Sequence, residues 1–185
     1  MGNNHTFLPN RGNYKKLIAY QKAECIYDIT YHFIHRFLER GDRTIDQMVQ
    51  AARSGKQNIA EGSTAATTSI ESEIKLFNVA KASLQELLVD YEDYLRVRGK
   101  QLWDKDDERA IRTKRLCSEH SNSDYYREAL PSRSDETIAN IAITLIHQTD
   151  FLLQKLIERT QNDFLTNGGI REQMHNARVN ARKKQ

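Results

Sequence analysis

Four groupings of residues in this chain have types and spacings that could do chemistry. Glu172-Gln173-Met174-His175 has the Glu-x-x-His spacing with which helical proteins hold di-iron centres, but that unit occurs once, where such a centre needs a pair and further glutamates. His32 and His35 share a helical face with Asp28 and Glu39, a candidate ligand cluster, although their aromatic neighbours equally suit interface or surface histidines. Cys117 and His120 are close in sequence without an oriented third group or a glycine-rich nucleophile turn. Gly55-Lys56 lacks both the upstream glycine and the following Ser/Thr of a phosphate loop. The sequence therefore reads as non-enzymatic, with no metal and no cofactor.

Cationic side chains offer a different chemistry, contact with phosphates. Arg53 and Lys56 form one candidate source. Arg96, Arg98 and Lys100 form a second, with Arg112, Lys114 and Arg115 beyond them. The third is the tail, where Arg178, Arg182, Lys183 and Lys184 stand with Arg171 against Glu172 alone. That tail carries a surplus of four positive charges, so with the chain at +3 the body carries −1. A nearly neutral body with a cationic end fits either a nucleic-acid contact or a solubilising tail. Asp104, Asp106, Asp107 and Glu108 beside the second source weaken it.

The elements that would position these residues read as helices. The chain has 185 residues, 38% apolar and 29% charged, with two prolines and eight glycines, which favours one helical domain over a sandwich or a disordered chain. Helical spacing predicts a helix over 14–39, with Leu17, Tyr20, Tyr27, Tyr31, Ile34 and Leu38 on a broad apolar face. A second is capped by Asp42, carries Ile45, Met48, Val49, Ala52 and Ile59, and stops near Gly62. A third starts at a capping box, Thr68-Ser69-Ile70-Glu71, and runs to Gly99 with a stripe from Ile70 to Leu95. A fourth opens at Ser132 or Ser134 and ends before Asn167-Gly168-Gly169. Between the third and fourth, a charged stretch predicts one short helix over 104–116, acidic at its start and basic at its end. No alternating strand pattern is present.

The expected fold is all-α: an antiparallel up-down-up-down four-helix bundle over residues 14–166, with a helical insertion at about 99–133. An N-terminal arm, 1–13, precedes it and a basic C-terminal tail, 167–185, follows. Cys25 and Cys117 lie far apart without a CxxC, which predicts packing thiols in a reduced, cytoplasmic protein. No secretory signal is expected at the N-terminus, and no membrane partner.

The run Gln50-Ala51-Ala52-Arg53-Ser54, then Asn58-Ile59-Ala60-Glu61-Gly62, and the later Ala80, Ser83, Leu84, Glu86 and Leu87 carry a resemblance. The chain resembles the four-helix-bundle family of 23S ribosomal RNA intervening-sequence proteins, over about Leu17 to Leu95. Relatives of that family include the accessory protein of diversity-generating retroelements. The resemblance implies a cytoplasmic homopentamer without known catalysis, ribosome- or RNA-associated, with RNA, DNA or a protein as partner. Gly55-Lys56 departs from the Ile-Pro of many members.

Read physically, Ala51, Ala52, Ser54, Gly55 and Ala60 remove bulk along one helix so that a neighbouring backbone can come close. In that reading Gly62 ends the helix with positive φ, Asn58 hydrogen-bonds across the contact, and Glu61 pairs with a cation on a neighbouring helix or protomer. The predicted function is a self-assembling, nucleic-acid-associated accessory protein. The alternative is an oligomeric protein-interaction scaffold that never touches nucleic acid.

Overall fold

A computed structural model describes residues 13–183, and the elements in it are helical throughout. All but Asn13 of the expected arm lies outside the described residues, as does Lys184. After a 3-10 turn at Tyr14–Lys16, α1 spans Ile18–Phe37, α2 Thr44–Ala65 and α3 Ile70–Val97. Then come α4 (Glu108–Glu119), α5 (Ser123–Ala129), a 3-10 turn at Leu130–Ser132, α6 (Asp135–Asn167) and α7 (Ile170–Lys183).

Side-chain oxygens set several of the starts. Asp42 Oδ1 accepts from the Thr44 amide at 2.9 Å ahead of α2. Ser69 Oγ accepts from Ser72 N, so the cap of α3 lies one residue later than the Thr68 box predicts. Asp107, Asn122 and Ser134 do the same for α4, α5 and α6.

The long helices pack in the cycle α1–α2–α3–α6 and back to α1. Contacts fix their directions. Gly55 meets Leu84 while Gly62 meets Phe77, so α2 and α3 run antiparallel. Tyr94 bonds Asp135 while Lys81 bonds Gln154, so α3 and α6 do too. Across the diagonal, Tyr91 donates to Thr30 and Phe33 touches the Tyr94 ring at 4.7 Å, which makes α1 parallel to α3. The core between them holds Ile26, Phe33, Met48, Ile59, Leu84, Tyr91 and Leu145, all essentially without exposure. Burial of that apolar surface is the main favourable term for such a fold.

The 98–134 connection differs from expectation. It holds α5 as well as α4, and Cys117, Tyr126 and Leu130 join the core. Buried Asn140 ties it down, accepting from the Trp103 amide and donating to the Gln101 carbonyl, both at 2.9 Å. Lys22 is buried and donates to the Cys117 carbonyl. Burial lowers its pKa and pushes the Cys25 thiol up to about 12, so both free cysteines are packing residues.

Gly62 does not end α2. It is buried inside the helix, which continues to Ala65, because a Cβ there would lie 2.8 Å from Phe77 Cε1: its role is room for an aromatic ring. Asn58 does not reach across either. Its amide donates to the Ser54 carbonyl one turn back, and Ser54 itself crosses to Ser83 at 2.9 Å. The tail is helical as α7. Gly168, at φ +71°, ends α6 in a conformation that side chains rarely adopt, and Glu172 accepts from the Gly169 amide at 3.0 Å. No helix among the described residues is long and apolar enough to cross a membrane.

Candidate nucleic-acid interface

Tyr27 and Tyr31 lie one turn apart on α1, and His35 one turn further, so the three side chains share a face. The sequence pattern places Tyr31 in the apolar stripe; the structure leaves it 52% exposed. Its ring lies against His35 with centroids 4.2 Å apart. His35 Nδ1–H donates to the Tyr31 carbonyl at 2.8 Å, which fixes the imidazole and leaves its other nitrogen outward. Across the helix pair, the Lys56 ammonium stands 4.2 Å from the centre of the Tyr27 ring. Because α1 and α2 form an antiparallel hairpin, Arg53, one turn before Lys56 and exposed, lies toward the Tyr31 end of the row.

Beside these rings opens a cleft of about 680 Å³ lined by Tyr27, Asp28, Tyr31, His32, His35, Arg36 and Arg127. Its single carboxylate, Asp28, is occupied by Ser123 and by Arg127 at 3.3 Å. Arg36 donates to the Pro131 carbonyl at 2.9 Å and has no carboxylate partner among the described residues. Burial, and then the charge of Arg36, hold the His32 pKa below its ordinary value, and its Nε2 finds no partner among the described residues. The face thus combines aromatic planes with the cations of Lys56 at the Tyr27 ring and of Arg36 and Arg127 along the cleft. Such surfaces stack bases and neutralise phosphates.

The other predicted cations are placed differently. Arg96 pairs with Asp93 at 2.7 Å, Arg98 lies 4.1 Å over the Tyr94 ring, and Lys100 bonds Asp135 at 3.0 Å, so each has a partner within the fold while Arg96 and Arg98 stay exposed. Arg178 and Arg182 are exposed on α7 with Lys183 at its end, far along the chain from the α1–α2 face.

The small-residue motif serves α2–α3 packing. Ala52 and Gly55 are buried there and Ser54 is half-buried. Glu61 is exposed and makes no ion pair among the described residues. Glu172 caps α7, His120 stacks on Tyr125 at 3.8 Å, and no group of three or more metal-ligating side chains converges among the described residues.

Sequence reasoning named Arg53 and Lys56 but missed Tyr27, Tyr31, Arg36 and Arg127 as parts of one surface. The signal was the Tyr-x-x-x-Tyr-x-x-x-His spacing; Arg127 gave none, since it arrives on α5 from 99 residues away. Compared with family models, curated proteins and solved structures, the chain matches none.

Proposed function

We propose that this chain is an antiparallel up-down-up-down four-helix bundle that self-assembles and binds nucleic acid, RNA or DNA, without catalysing a reaction. The observation that carries the binding half is the exposed Tyr31–His35 stack on the same face as Tyr27 with its Lys56, next to a cleft lined by Arg36 and Arg127 whose one carboxylate is already occupied; exposed Arg53, one turn before Lys56 on α2, extends the cationic side. Unpaired bases offer ring faces to Tyr31, and their phosphates suit the flanking cations, so a single strand fits the surface better than a duplex. The four long helices and their alternating directions support the bundle half. The resemblance on Asn58-Ile59-Ala60-Glu61-Gly62 agrees with an RNA-associated role and rests on those motif residues.

The test is retention of labelled single-stranded RNA and DNA at low ionic strength, with affinity falling as salt rises. Chain that binds neither at low salt would leave the protein-scaffold alternative standing.

A further inference from the structure

Helix α7 has two parallel stripes and no substantial packing against the rest of the described chain. Ile170, Met174, Ala177 and Ala181 follow one line, and Arg171, Arg178 and Arg182 the adjacent line, with Met174 44% exposed. None of these arginines has an ion-pair partner among the described residues. The Gly168 turn and the Glu172 cap at Gly169 shape the joint from which the helix projects. A fourteen-residue helix of this kind is marginal alone in water, so its stability calls for a surface to lie on.

The complementary surface is the outer face of α3. Glu86, Asp90 and Asp93 fall on one line, and Val79, Val89 and Val97, between 40% and 70% exposed, run along the same face. The three carboxylates crowd one another: burial first, then Asp93 and Glu86, raise the Asp90 pKa. Only Asp93 among them has an ion-pair partner among the described residues, the exposed Arg96 one turn on. Beside Glu86 a cleft of about 430 Å³ opens between α2 and α3, with Asp46 as a second carboxylate on its wall. Arg171 and Arg178 are seven residues apart, as are Glu86 and Asp93, so both pairs repeat at about 10 Å along their helices.

We infer that α7 of one copy docks on the acidic and apolar face of α3 of a second copy, exchanging arms between protomers. The self-assembly in the proposed function is the premise of this inference. A chain's own α7 does not fit its own stripe. α6 runs antiparallel to α3 and returns to the Ile70 end, so a helix folded back from there reaches about 18 Å at Arg182. Asp90 and Asp93 lie about 30 and 35 Å from Ile70.

The test uses sedimentation of the full chain, freed of nucleic acid, at low salt. One variant carries Arg171→Glu, Arg178→Glu and Arg182→Glu; the other carries Glu86→Lys, Asp90→Lys and Asp93→Lys. The expected result is an assembly for the unaltered chain, at least tenfold weaker association for each variant alone, and restored association when the two are mixed. Restoration separates docking from misfolding, because each variant then meets its opposite charge. An assembly whose mass neither variant changes, or variants that weaken it but are not restored by mixing, overturns the arm exchange and leaves self-assembly standing. An unaltered chain that sediments as a monomer at tens of micromolar overturns both.

Discussion

Gly55 and Leu84 face each other across the α2–α3 contact with no volume to spare: a Cβ on Gly55 would lie 2.8 Å from Leu84 Cδ2 and 2.9 Å from Cγ. Leu84 is buried and cannot simply swing away. Overpacking a filled core costs about 1–3 kcal/mol, while replacing a mid-helix glycine by alanine returns about 0.5–1 kcal/mol. Gly55→Ala is therefore expected to be destabilising by about 1 kcal/mol, and Gly55→Ile by more. Urea unfolding checks this. Ala52→Trp, at a fully buried position on the same helix, should disrupt packing more severely still.

Tyr91 and Thr30 form a buried relay, in which the tyrosine hydroxyl donates to Thr30 Oγ1 at 3.0 Å and the threonine hydroxyl donates to the Ile26 carbonyl at 2.7 Å. The two ends are unequal. Tyr91→Phe removes a donor and leaves Thr30 still bonded, so it should cost about 1 kcal/mol. Thr30→Val strands a fully buried tyrosine hydroxyl and should cost about 1–3 kcal/mol. Unfolding midpoints for the two variants check the order.

His32 links stability to pH. Its folded pKa lies below the ordinary value of 6.5, through burial and then Arg36, so the unfolded chain takes the proton first as pH falls. Its contribution is complete above that ordinary value and declines as pH drops through it toward the folded pKa. His32→Leu should lose less stability than the parent chain over that window, measured by urea midpoints at pH 7.5, 6 and 5. Equal losses would remove His32 from the account.

The long helices were legible because their apolar stripes run for many turns: Phe77, Leu84, Leu87, Tyr91 and Leu95 on α3 are core residues by spacing and by burial. The seven-residue α5 was not, since its position depends on Tyr126 and on Ser123 reaching Asp28, both tertiary contacts. Tyr31 read as core because a tyrosine at helical spacing has the same signature whether its ring turns in or out. Gly62 read as a helix end because glycine marks both termination and close approach, and only the position of Phe77 decides between them. Lys100 read as a free cation because Asp135 is brought to it only by the pairing of α3 with α6, whereas Arg98 meets Tyr94 one turn back on its own helix, an i, i+4 spacing the sequence already offered.

Three surface changes on the α1–α2 face, Tyr31→Ala, Arg53→Gln and Lys56→Gln, remove a stacking ring and two cations. The ring is mostly exposed, so the fold should persist. Loss of one stacked base is expected to weaken binding by about 1–3 kcal/mol, and each lost phosphate contact should lower the slope of log affinity against log salt by about 0.7 on a single strand.

The direct measurement is fluorescence anisotropy of a labelled single strand over a salt series, with the parent chain, this triple variant, and a control carrying Arg96→Gln and Arg98→Gln. The account predicts salt-dependent binding by the parent and the control with nearly the same slope, and a weaker affinity with a shallower slope for the triple variant. Binding by the triple variant equal to that of the parent, or no binding by the parent at the lowest salt, contradicts it.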